Sequence, residues 1–138
     1  MADVFSKAKR SDVMSRIRGR DTGPERAVRS MLHRMGYRFR LHCADLPGKP
    51  DIVLPRFGTA ILVHGCFWHR HKGCRFAYTP KSRKNFWLRK FASNVLRDHN
   101  VEIALAKLGW KITIVWECEL RFPDRLGKRL KAALVRQG

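Results

Sequence analysis

Acidic residues are few in this chain. Its 138 residues include 11 Asp and Glu against 30 Lys and Arg, a formal net charge of +19, and the pI is about 11.1. A compact protein does not carry that much self-repulsion without a polyanionic partner. Nucleic acid is the leading candidate, ahead of an anionic membrane and of a ribosomal-type structural role. Long apolar runs are missing too. The longest, Thr59 to Val63 and Ile112 to Trp116, are strand-sized, whereas a membrane span needs about 20 residues. Met1 to Arg10 hold no apolar stretch of the secretory kind. No internal repeat or low-complexity segment is present. The expectation is a cytoplasmic protein with no membrane partner.

Hydrophobic residues make up 44% of the chain, enough for a core and too many for disorder. Ser11 to Arg20 reads as a short, arginine-rich helix behind a basic tail. Thr22 to Glu25 has the form of a capping box with Pro24 in the first turn. Ala27, Val28, Met31, Leu32 and Met35 then share a helical face, and Gly36 stops the helix. Tyr37, Phe39 and Leu41 alternate with polar residues, as in a strand. Asp51 to Leu54 and Thr59 to His64 read as a hairpin across the turn Arg56-Phe57-Gly58. A long helix is expected from about Asn85 to Leu108. Leu88, Phe91, Ala92, Val95, Leu96 and Ile103 lie on one side of it, and Trp87, Lys90, Asn94, Arg97 and Asp98 lie roughly opposite. Lys111 to Trp116 is a buried strand. Pro123 to Val135 is a closing helix with Leu126, Leu130 and Leu134 inward. The order implies an α/β fold, a mixed central sheet flanked by helices, with a parallel crossover through the long helix.

Gly65 to Lys84 has no period and is crowded with Cys, His and aromatic residues. Cys66, His69, His71 and Cys74 lie close together there, and Cys118 follows the last strand. Sulfur and imidazole donors at such spacing suit tetrahedral zinc, which crosslinks loops that have no core of their own. Five candidates compete for four places. Cys43 stands apart and reads as a free thiol.

Pro50-Asp51 opens a strand. A carboxylate fixed on a strand can hold magnesium against a scissile phosphate, and His64 and His69 could handle protons. Phe67, Trp68, Phe86 and Trp87 sit among basic residues. Exposed aromatics in such company stack on bases or wedge between base steps. Trp68 and Trp87, with polar neighbours, are expected to be exposed, whereas Trp110 and Trp116 read as core. Lys90, Asn94 and Arg97 share the helical side of Trp87 and form either a solvated face or a strip touching nucleic acid.

A resemblance rests on Arg10-Ser11, Met14, Arg20-Asp21-Thr22, Glu25, Leu46-Pro47-Gly48-Lys49-Pro50-Asp51, His64-Gly65-Cys66-Phe67-Trp68-His69, Phe86-Trp87, Lys90, Asn94, Arg97-Asp98, and Gly109-Trp110 through Trp116-Glu117-Cys118. Over about residues 8 to 120 the chain resembles the very short patch repair endonuclease family. The resemblance implies a restriction-endonuclease-like fold with a structural zinc. It also implies a bacterial, nucleoid-associated enzyme that nicks one strand of DNA at T:G mismatches left by deamination of 5-methylcytosine. Asp51 and the main-chain carbonyl of Val63 would hold magnesium. His69 would act as the base, with His64 and Glu25 in support. Cys66, His71, Cys74 and Cys118 would hold zinc. Phe67, Trp68 and Trp87, with Met14 from the N-terminal helix, would intercalate, and Lys90 and Asn94 would read the mismatched pair. Residues 1–20 would form a basic arm on the DNA and residues 21–138 a single endonuclease domain. The partner would be double-stranded DNA with a T:G mismatch, mismatch-repair factors of the MutL kind are further candidates, and a monomer is expected. The chain departs from the family pattern at Val63, where threonine is common, and at Gly73, one residue more between His71 and Cys74. The competing reading is a non-catalytic, zinc-stabilised DNA-binding module, which needs the basic face and the aromatics but not Asp51 with both histidines.

Overall fold

A computed structural model describes residues 22–135. Met14 and the expected N-terminal arm lie outside the described residues. The elements are helix α1 (Gly23–Arg34), strands β1 (Arg40–Leu41), β2 (Ile52–Leu54) and β3 (Thr59–His64), helix α2 (Lys84–Lys107), strand β4 (Lys111–Trp116) and helix α3 (Pro123–Ala133). Short 3-10 turns at Pro55–Phe57 and Glu117–Arg121 complete the chain. The sheet order is β1-β2-β3-β4. β1 to β3 run antiparallel, and β4 joins β3 in parallel after the α2 crossover, as a helical connection between neighbouring parallel strands requires.

Most expected elements form within a residue or two of their sequence signals. Thr22 caps α1, its side chain accepting the Glu25 N–H at 3.3 Å, and Pro24 occupies the first turn. Val28, Met31 and Leu32 are buried, but Ala27 and Met35 face solvent and Glu25 is buried instead. The strand expected through Tyr37, Phe39 and Leu41 shortens to β1, with Leu41 exposed. Tyr37 donates its backbone N–H to the Leu32 carbonyl, and its ring meets Phe57 edge-on at 5.4 Å. This segment therefore belongs to the end of the helix and to the core before it belongs to the sheet.

Side chains alternate across a strand. Ile52, Leu54, Ile61 and Val115 point to one face and join Val28, Met31 and Leu32 of α1 and Leu126 and Leu130 of α3, together with Leu134, in one core cluster. Val53, Ala60 and Leu62 point the other way and are buried as well, on the face of the α2 crossover. Helix α2 is turned differently from the hydrophobic grouping of its sequence. Phe91, Asn94 and Leu105 face inward, whereas Leu88, Val95, Leu96 (61% exposed) and Ile103 are exposed. The inner face of α2 lines a polar cleft, so polar residues are kept there. Among the described residues no helix is long and apolar enough to cross a membrane.

Candidate active site and metal centre

Strand β3 delivers two sites side by side, because the residues that leave its end alternate between them. The parallel register pairs His64 with Trp116. Cys66 and Cys118 each lie two residues beyond that pair, so the sheet itself brings them together across a long sequence gap. Their thiols converge with Cys74 and His71, all four donor atoms lying within 4.8 Å of one another. His71 Nδ1 is 3.4 Å from Cys118 Sγ and 3.7 Å from Cys66 Sγ. Tetrahedral zinc with bonds of about 2.0–2.3 Å holds its donors about 3.5–3.8 Å apart, so the spacing and the chemistry of the donor set fit such an ion. The His71 ring stacks on Trp116 at 4.2 Å, which fixes its orientation. Burial, and then neighbouring thiols, push the Cys66 thiol up to about 12. A cation among the sulfurs would reverse that preference. His69 is not in this group. Gly73 adopts a left-handed φ of +71° with open space around it, so the loop takes the extra residue without a clash.

His69 turns the other way. Its ring stacks on His64 at 4.0 Å and 5°, and its Nδ1 lies 2.5 Å from Asp98 Oδ2 of α2. His64, Leu62 and Asp51 line a cleft of about 640 Å³ with Glu25, His69 and Asp98. Asp51 is held just ahead of β2 by the Val63 N–H, which donates to its Oδ2 at 2.9 Å. In an extended strand the N–H and C=O of one residue point to the same neighbour, so the Val63 carbonyl also faces the side of Asp51. The Leu46-Pro47-Gly48-Lys49-Pro50 loop is fastened to α2. Gly48 has φ +72°, and a Cβ there would lie 2.5 Å from Val101, closer than any side chain tolerates.

The electrostatics of the cleft follow from crowding. Burial, then hydrogen bonding and repulsion from Glu25, raise the Asp51 carboxyl to about 8, while the Val63 N–H and Arg29 oppose the rise. A buried Glu25 beside a half-buried Asp51 has this effect, because two like charges that close together cannot both ionise freely. Asp51, Glu25 and the facing carbonyl are hard oxygen donors of the kind magnesium takes. Burial, and then His69, lower the His64 imidazole to about 4, so it is neutral at physiological pH.

The aromatic residues form a block beside the cleft. Phe67 meets Trp68, Trp87 and Phe91 edge-on at 5.1, 5.5 and 5.1 Å. Trp68 is only 8% exposed, contrary to the expectation from its polar neighbours, because the block packs it against Trp87 at 5.6 Å. Trp87 is half-buried and Phe86 exposed, while Trp110 and Trp116, expected as core, are half-buried. The polar side of α2 is solvated only in part, with Lys90 and Arg97 exposed. Asn94 is buried, donating from Nδ2 to the Trp68 carbonyl at 3.3 Å and accepting from Arg97 at 2.8 Å. Lys90 is exposed at the rim. Cys43 is a free thiol.

Three residues gain a place that sequence reasoning did not give them. Asp98 shares the helical side of Trp87 and Asn94, but nothing local in the sequence names His69 as its partner. Arg29 and His42 reach the Asp51 side of the cleft from α1 and from the end of β1. His42 lies within ligand reach of Glu25 and Asp51.

A family model described as DNA mismatch endonuclease Vsr matches residues 2–75. The chain is 49% identical over 134 residues to a Type II nicking enzyme, V.XorIIP, of Xanthomonas oryzae pv. oryzae, covering 97% of this chain and 98% of that protein. It is 45% identical to a Type II nicking enzyme, V.NmeAIP, of Neisseria meningitidis serogroup A, covering 99% and 96%. It is also 45% identical to the DNA mismatch endonuclease Vsr of Escherichia coli, covering 91% of this chain and 80% of that protein.

Proposed function

The chain belongs to the Vsr DNA mismatch endonuclease family, and from that premise we propose that it is a magnesium-dependent endonuclease that nicks one strand of duplex DNA at T:G mismatches. Such mismatches arise by deamination of 5-methylcytosine, which places the enzyme in very short patch repair in the bacterial cytoplasm, at the nucleoid. The reading takes the fold as restriction-endonuclease-like. The observation that carries it is one cleft with a carboxylate pair, Asp51 and Glu25, together with a carboxylate-held histidine, His69 on Asp98.

Magnesium, held by Asp51 and the Val63 carbonyl, would polarise the phosphate and acidify the attacking water. The remaining work falls to side chains. His69 donates its Nδ1–H to Asp98, which leaves Nε2 as the acceptor for a proton of the water that attacks phosphorus. Asp98 fixes that tautomer and stabilises the imidazolium that forms. His64, neutral and stacked on His69, keeps the ring from tilting. Glu25 supports Asp51. Cys66, His71, Cys74 and Cys118 hold zinc, which pins the loop on both sides of His69. Phe67, Trp68 and Trp87 act as a packed wedge beside the mismatch, with Met14 approaching from the N-terminal segment and Lys90 and Asn94 contacting the mispaired bases. The +19 charge supplies affinity for the phosphate backbone. The protein works as a monomer on DNA, with repair factors of the MutL kind downstream.

The test is a duplex carrying one T:G pair, incubated with protein and magnesium and resolved under denaturing conditions. A cut in one strand only, and only with the divalent ion, is the expected result. Two intact strands would leave the non-catalytic DNA-binding module as the reading.

A further inference from the structure

The Arg29 guanidinium stands between two groups of the cleft. Its NH2 is 2.9 Å from Glu25 Oε2 and 2.9 Å from His42 Nε2. A guanidinium has donors and no acceptor, so His42 Nε2 is the acceptor and that ring carries its proton on Nδ1. His42 Nε2 is also 3.7 Å from Glu25 Oε2. The three side chains thus form a triangle that shares Glu25 with the Asp51–Glu25 pair, and His42 lies within 4.8 Å of both carboxylates. His42 is itself tied to Asp51, because its backbone N–H donates to the Asp51 carbonyl at 3.2 Å. It has a φ of +47°, a left-handed conformation that costs a non-glycine residue energy and persists only where the surroundings impose it. The segment that positions the catalytic carboxylate therefore also positions the strut.

We infer that Arg29, braced by His42, is a positioning residue of the nuclease site that orients the Glu25 carboxylate toward Asp51 and sets the charge of the pocket that receives the divalent ion. The inference rests on the proposed nuclease reading and assigns a role to two residues outside it. With both carboxylates ionised, Asp51, Glu25 and Arg29 together carry one net negative charge, and a divalent ion brings that group to one positive charge, matched to a single phosphodiester. Without the guanidinium the same pair, once ionised, carries two negative charges. It then attracts a cation more strongly, while Glu25 Oε2 loses the Arg29 NH2 donor that holds it at 2.9 Å. Ion affinity and turnover should move in opposite directions.

The experiment compares Arg29→Ala, Arg29→Lys, His42→Ala and His42→Gln in two assays: manganese binding to the DNA-free, zinc-loaded protein, and single-turnover nicking of a T:G duplex. Arg29→Ala should bind manganese several-fold more tightly and nick at least about tenfold more slowly. Arg29→Lys, which keeps the charge but loses the planar NH2 that reaches Glu25 and His42 together, should restore the ion affinity and only part of the rate. His42→Ala should slow nicking without the gain in ion affinity of Arg29→Ala, and His42→Gln, whose amide oxygen can accept from Arg29, should recover the rate. Zinc content and melting temperature establish that each variant is folded, and the Lys and Gln variants keep the test open if an alanine variant fails to fold. Folded Arg29 variants whose ion affinity and nicking both stay at the parental level, or both fall together, overturn the inference. If the parental protein does not nick, or if Asp51→Ala nicks normally, it is the underlying nuclease reading that fails, and the manganese data still decide whether Arg29 sets the charge of the pocket.

Discussion

His69 Nδ1 lies 2.5 Å from Asp98 Oδ2, a bond between the loop that carries Cys66, His71 and Cys74 and the inner face of α2. It fixes which ring nitrogen of His69 remains to accept a proton, and it crosses 29 residues of sequence. Asp98→Asn keeps the shape but reverses the preference for an Nδ1–H partner. Nicking should fall by about 100-fold or more, with zinc content and mismatch binding unchanged. Single-turnover rates on a prebound T:G duplex check this, and a rate within a factor of three of the parent would remove Asp98 from the mechanism.

The converged thiols predict that zinc is part of the fold. Purified protein should carry one zinc per chain. Cys118→Ala should lose it and also lose about 3 kcal/mol of stability, a fall of roughly 10 °C in melting temperature. His69→Ala should keep its zinc. Elemental analysis and thermal melts decide the matter. A His69→Ala protein without zinc beside a His71→Ala protein that retains it would mean that the two histidine roles are exchanged.

Binding should separate into two components. Affinity for any duplex should fall steeply with salt, because Lys and Arg contacts release counterions. Discrimination should instead rest on the wedge, since a mispaired step costs less to unstack. Trp68 is buried against Phe67 and Trp87, so Trp68→Ala will also cost stability. Half-buried Trp87 gives the cleaner test. Trp87→Ala should lower mismatch preference about tenfold while leaving the salt slope intact. Equal losses on matched and mismatched duplexes would count against the wedge.

The crowding of Asp51 predicts a proton linked to ion binding. Its carboxyl is raised from 3.8 to about 8, by burial first and then by Glu25. A folded-state pKa raised in this way contributes stability that is fully present below pH 3.8 and is lost as pH rises through 8. A divalent cation takes the place of that proton. Magnesium affinity should therefore rise with pH up to about 8 and then level off, with about one proton released per ion near pH 7. His64, lowered to about 4 mainly by burial, adds no slope in that window. Calorimetric titrations in two buffers of different ionisation enthalpy measure the release, and an ion uptake independent of pH between 6.5 and 8 would contradict the assignment.

Much of this architecture was legible because it is local. The Thr22 cap, the β2–β3 hairpin and the closing helix each follow from a short signal, and Pro50-Asp51 marked the carboxylate at the head of a strand. The zinc-type quartet was legible in part. Residues 66 to 74 announce it by spacing, but Cys118 joins only because β4 pairs in parallel with β3, residue 116 beside residue 64. The orientation of α2 was not legible. Periodicity shows which residues share a face, not which face turns inward, and Leu88, Val95 and Leu96 are outside because the helix turns Phe91, Asn94 and Leu105 inward and Asp98 toward the cleft. The partnerships of His69 with Asp98 and of Arg29 with His42 are tertiary and have no local signature.

The central claim is that Asp51 and His69 carry the chemistry while the zinc-type quartet and the aromatic block carry structure and binding. The measurement that tests it most directly is single-turnover nicking of a T:G duplex by Asp51→Ala and His69→Ala, each assayed for zinc content and mismatch affinity on the same preparation. The account predicts no detectable nicking for Asp51→Ala, a loss of about 100-fold or more for His69→Ala, and for both a full zinc complement and near-parental binding. An Asp51→Ala protein that nicks at the parental rate would contradict it.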